Sequence, residues 1–201
     1  FVFSFWSRIK QLLSDLGVRY DKLKPIDITW TDAELKRIID GRLSYFSDKK
    51  VQCLENIIPG EYINSIYDLS QQSPSHMIIL LSKIYDEQAT TDEKVTIFTK
   101  EAIEKGLANF AMSFDFCAFY AGVKPETMRK TVQEIVKVHK NEFETRDLIS
   151  AFKISTQAAN NKIRTMQDYG LIKDITAGTR AKRYKIVEPR ISYIISNNLP
   201  Y

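Results

Sequence analysis

Residues 145 to 187 read TRDLISAFKISTQAANNKIRTMQDYGLIKDITAGTRAKRYKIV, and their spacing carries the architecture. Thr145 is placed to cap a compact helix with Leu148, Ile149 and Phe152 facing inward. The three residues Lys153-Ile154-Ser155 turn the chain into a second helix that ends near Tyr169-Gly170. Two helices joined by so tight a turn form a helix-turn-helix unit. In the second helix Ala159, Ile163 and Met166 recur at i, i+4 and i+7, which assigns the buried side. Gln157, Asn160, Asn161 and Arg164 then share the opposite side, while small Ala158 and Ala159 let the two helices approach. Asn and Gln can read adenine through two hydrogen bonds and Arg can read guanine, so this face suits a major groove.

Beyond Gly170, Leu171 to Ile175 reads as a strand and Thr176-Ala177-Gly178-Thr179 as a turn. Ala181 to Val187 returns with Tyr184 and Ile186 alternating with Arg183 and Lys185. The tip and return strand carry Arg180, Lys182, Arg183 and Lys185 with no acid between them, which suits phosphates. Upstream, a helix over Glu126 to Val138 buries Met128, Val132, Ile135 and Val136, and Phe143 lies in a short extended link. Helix, link, helix, turn, helix, Tyr169-Gly170-Leu171-Ile172 and hairpin together resemble the winged-helix family from residue 126 to 190. The resemblance implies contact with duplex DNA, and assigns it to Gln157, Asn160, Asn161, Arg164, Thr179, Arg180, Lys182, Arg183 and Lys185. Some winged helices bind proteins instead.

The preceding segment alternates helices and breaks. Residues 1 to 6 read as a short strand, Ser7 to Leu16 as a helix stopped by Gly17, and Pro25 to Trp30 as extended. Thr31 and Glu34 form a capping box before a helix with Leu35, Ile38, Ile39, Leu43 and Phe46 on its apolar stripe. Val51 to Ile58 reads as a further short helix, and Tyr62 to Leu69 as the next. Ser73 caps a helix with Pro74 in its first turn and Met77, Ile78, Leu81, Ile84 and Tyr85 inward. Gln88 to Lys94 reads as a loop, Thr99 opens another helix, and Gly122 to Pro125 breaks the aromatic run from Phe114 to Tyr120.

Part of this pattern resembles the C-terminal end of a P-loop ATPase of the AAA/STAND kind, with an origin-recognition-like architecture. The matching run is Ile26-Asp27-Ile28-Thr29-Trp30-Thr31, followed by Glu34-Leu35, Ile38-Ile39 and Arg42-Leu43. Ile97 to Leu107 is similar to the entry into the family's last lid helix. Where the family shows a helix opened by [GS]-x-P-R, this chain has Ser73-Pro74-Ser75-His76, without the arginine that senses phosphates. No GxxxxGK[ST] loop occurs, so nothing in this chain cradles a nucleotide. The resemblance therefore implies ATP and Mg²⁺ in a larger parent and no cofactor here. The opening inside an apolar run without an initiator Met carries the same expectation of an upstream ATPase core.

Composition bounds the remainder. Apolar residues make up 44% of the 201-residue chain, enough for a proper core, and only seven glycines and six prolines interrupt it, which favours helix. From Lys124 to Arg190, 15 Lys and Arg face 8 acids, so the basic excess belongs to the C-terminal third and a polyanion is a plausible partner. Cys53 and Cys117 form no CxxC pair, and His76 and His139 read as surface or capping residues. Metal and catalytic sites are accordingly not expected. No run approaches the ~20 apolar residues of a membrane span, and a reducing cytoplasm is expected.

The expected fold is mainly α: a helical lid-like bundle followed by a winged helix-turn-helix domain with a small β-hairpin. The expected division is 1–30 for a remnant of the ATPase core, 31–123 for the lid-like domain, 124–190 for the winged helix and 191–201 for a tail. The expected function is regulatory DNA binding within a P-loop ATPase, with oligomerisation possible through that ATPase. A protein-interaction or autoinhibitory winged helix is the alternative. A stand-alone transcription regulator with a helical ligand or dimer domain is a further one.

Overall fold

The computed structural model describes residues 16–17, 29–92, 94–119, 123–177 and 181–201. The strand read at residues 1–6, the helix read from Ser7 and the extended run at 25–28 lie outside the described residues. So do Gly122 and the turn residues Gly178, Thr179 and Arg180. The structure is mainly helical with one small antiparallel sheet. It divides into two compact units, Asp115–Lys185 and Thr29–Phe114 with Ile186–Tyr201.

The helical unit begins with the capping box. Thr31 Oγ1 accepts from the Glu34 N–H at 3.3 Å, and the Glu34 carboxylate accepts from the Thr31 N–H at 2.8 Å. This starts α1 (Asp32–Phe46), followed by a 3-10 turn (Leu54–Asn56), α2 (Gly60–Ser70), α3 (Pro74–Thr91) and α4 (Lys100–Met112). Their core joins Ile39, Leu54, Ile58, Ile66, Leu69, Met77, Leu80, Ile84, Ile103, Leu107 and Phe110. The short helix read over Val51 to Ile58 contracts to that 3-10 turn. It is held where the Asp40 carboxylate accepts from the Leu54 N–H at 3.0 Å.

Several inward assignments are corrected. Phe46 is 78% exposed at the end of α1. In α3, Ile78 and Tyr85 face solvent, while Leu80 and Gln88 are buried alongside Met77 and Ile84. The reason is packing. Gly106 of α4 lies so close to α3 that an added Cβ would stand 2.6 Å from Ile84 Cα, and this crossing selects the side of α3 that turns inward. The loop read from Gln88 is helix as far as Thr91. Buried Gln88 donates to the Asp92 carbonyl at 3.0 Å and accepts from the Thr99 N–H at 2.8 Å, so its polarity is satisfied inside.

The second unit holds the short α5 (Phe116–Phe119), α6 (Pro125–Lys137), β1 (Glu142–Glu144), α7 (Thr145–Phe152), α8 (Thr156–Asp168), β2 (Ile172–Asp174) and β3 (Arg183–Ile186, whose last residue falls in the helical unit). The extended link at Phe143 is a true strand, so the sheet has three strands in the order β1-β3-β2. Phe143 pairs with Tyr184 across β1 and β3, and both rings are buried 5.9 Å apart. Capping of α7 falls one residue earlier than read. Glu144 and Asp147 form the box, with Asp147 accepting from the Glu144 N–H at 2.7 Å.

Residues 191–201, read as a tail, instead belong to the helical unit. There α9 (Pro189–Ser196) packs against α4 and α2 with Ile191, Ile194 and Ile195 buried. Residues 115–119 and 123 fall with the sheet-bearing unit. No helix among the described residues is long and apolar enough to cross a membrane.

Candidate nucleic-acid interface

The turn between α7 and α8 is built by two residues. Lys153 adopts a left-handed backbone, φ 51°, that ends α7, and Ser155 Oγ accepts from the Ala158 N–H at 3.2 Å to cap α8. Gly170, at φ 66°, ends the far side. It donates to the Gln167 carbonyl while Leu171 donates to that of Met166, so the chain turns straight into β2.

Between these stops α8 buries Ala159, Ile163 and Met166. Gln157, Asn160, Asn161 and Arg164 are all exposed, and none of the four side chains bonds to another described residue. Lys162, by contrast, is drawn to Glu134 of α6 at 2.5 Å and stands over the Phe152 ring. Three amides and one guanidinium therefore face outward, with their hydrogen-bonding capacity open to water or to a ligand.

The hairpin closes where Ile175 donates to the Arg183 carbonyl at 2.9 Å and Arg183 donates to the Thr176 hydroxyl at 3.0 Å. Lys182 is exposed and makes no ion pair with a described residue; the same is true of Lys173 on β2. Arg183 and Lys185 are also exposed, and the return strand itself carries no acid, but an acid from another strand faces it. Glu142 of β1 lies across from them, 3.2 Å from Arg183 and 3.9 Å from Lys185. That pairing links residues 41 positions apart and follows from β1, which was read only as a link. Arg180 and Thr179 lie outside the described residues.

The helical unit contains a polar cluster that sequence reasoning missed. Arg190 of α9 is fully buried, paired with equally buried Glu188 at 3.1 Å. It also donates to the Gln71 side-chain carbonyl at 3.3 Å and stacks 3.7 Å from the Phe114 ring centre. His76, half-buried rather than on the surface as read, joins the cluster with Nδ1 3.2 Å from the Arg190 guanidinium. Burial first, and the Arg190 charge second, push its pKa below the ordinary histidine value.

Ser73 to His76 stand where the ATPase resemblance would put a phosphate-sensing arginine. Ser73 caps α3, accepting from the His76 N–H at 3.4 Å, and the His76 ring is turned to Arg190 and Phe114. These residues do not fit a nucleotide. Among the described residues no group of three or more His, Cys, Asp or Glu side chains is placed to hold a metal ion. No family model matches the chain, and neither a curated protein nor a solved structure matches it.

Proposed function

We propose that residues 124–187 act as a winged helix that binds duplex DNA, with α8 reading bases in the major groove and the β2–β3 hairpin touching phosphates. The observation that carries this is the outer face of α8, where Gln157, Asn160, Asn161 and Arg164 are exposed together without internal partners. Base recognition uses amides for adenine and a guanidinium for guanine. The exposed Lys173 and Lys182 supply phosphate-seeking charge nearby in sequence. The parentage we propose, the C-terminal region of a cytoplasmic P-loop ATPase with its core upstream, rests on the residue pattern at 26–43 and 97–107 alone.

A salt titration of duplex binding tests the reading. Each phosphate neutralised should add about −0.9 to the slope of log affinity against log salt. Lys173, Lys182, Arg183 and Lys185 replaced together by Gln should flatten that slope for every sequence alike. No duplex affinity at low salt would reject the proposal. The protein-interaction reading would then take over, and the partial neutralisation of the hairpin by Glu142 favours it as the second choice.

A further inference from the structure

Strand register places four charges on one side of the sheet. Glu142 lies opposite Lys185 and Glu144 opposite Arg183, while Phe143 and Tyr184 between them point inward. Successive strand residues alternate faces, so the acids and cations share the outer one. Glu144 is already bound to Arg146 at 2.8 Å. Among the described residues Glu142 alone is paired with both β3 cations, and all three side chains are about half exposed.

We propose, building on the DNA-binding reading, that Glu142 is a built-in competitor for nucleic-acid phosphates on the β3 cations. Exposed pairs of this kind are weak, so a phosphate can displace the carboxylate. The strand holds the carboxylate within a few ångströms of the incoming phosphate all the same. The two negative groups repel, and backbone contact by Arg183 and Lys185 is weakened without touching base readout. The duplex is then held less by its sequence-blind backbone and proportionally more by α8.

The test compares the full chain with Glu142→Gln, and with Asp86→Asn as a charge-matched control on an exposed residue of the helical unit. Circular dichroism confirms folding, and two probes are used, duplexes of unrelated sequence and immobilised heparin. E142Q should bind every duplex roughly three- to ten-fold more tightly at low salt, with a salt slope steeper by about one. The gain should be absent in D86N and should vanish when R183Q and K185Q are already present. Duplex binding by E142Q equal to or weaker than wild type, where wild type binds, overturns the competitor role and leaves the DNA reading intact. If no variant binds duplex, heparin decides. Later elution of E142Q than D86N keeps the competition and discards the DNA reading, while coincident elution discards both.

Discussion

The guanidinium of Arg190 lies 3.2 Å from Nδ1 of His76, and this contact can hold only while the histidine is neutral. Arginine has donors and no acceptor, so Nδ1 must accept and the ring proton must sit on Nε2. Gln71, Glu188 and Phe114 pack around this pair. The cluster fastens α9 to the helical unit.

A pH dependence follows from that contact. Burial and the Arg190 charge lower the folded-state pKa of His76 below 6.5, so the unfolded chain takes up a proton that the folded chain refuses. Stability from this source is complete above 6.5 and is lost as pH falls below it. The melting temperature should drop between pH 7.5 and 5.5 in the wild type, and drop less in His76→Asn, which keeps an acceptor near the Nδ1 position. Equal drops in the two proteins would remove His76 as the cause.

Arg190→Met should cost about 3–5 kcal/mol, because it removes the buried counter-ion of Glu188 and leaves that carboxylate to neutral donors such as the Gln71 amide. Urea denaturation gives the figure. Adding Glu188→Gln to Arg190→Met should cost less than the two single changes summed, since the second removes a buried charge whose Arg190 counter-ion is already gone. Hydrogen exchange should show α9 losing protection first.

Gly106→Ala and Gly41→Ala should move stability in opposite directions. Alanine at 106 gains helix propensity of about 1 kcal/mol but drives a methyl against the Ile84 backbone, for a net loss of about 1–2 kcal/mol. Gly41 has nothing within 4 Å of an added Cβ, so alanine there should stabilise by about 0.5–1 kcal/mol. Thermal melts of the pair report both signs.

Gln88→Leu should cost about 1–3 kcal/mol, since the Thr99 N–H and the Asp92 carbonyl lose their shared partner at the α3–α4 connection. Chemical denaturation measures it. A neutral result would mean that water reaches both groups.

On the proposed interface, Arg164→Ala should erase a preference for guanine at one position and Asn160→Ala a preference for adenine. Each should cost about 1–3 kcal/mol on the favoured duplex and little on others. Competition among randomised duplexes reads this out. A uniform loss over all sequences would assign the two residues to phosphates instead.

Much of α8 was legible from residue types because its apolar positions are few. Ala159, Ile163 and Met166 admit one inward side, and the polar set follows from them. In α3 the run Met77-Ile78-Ile79-Leu80-Leu81 is apolar nearly all round, so periodicity assigned Ile78 and Tyr85 inward where Leu80 and Gln88 are buried. Nothing in α3 itself reveals the phase. It is set by a glycine on another helix.

Caps, turns and the two sides of α8 depend on atoms within about four residues of each other, so reading along the chain sufficed for Thr31 with Glu34 and for Ser73. Glu142 lies 41 positions from Arg183 and His76 lies 114 from Arg190, and a linear pattern holds no information about which distant groups meet. Folding alone sets Glu142 beside the hairpin cations and closes Arg190 in a dry interior. Electrostatic interaction depends on distance and on the surrounding dielectric, and both come into being only when the elements pack.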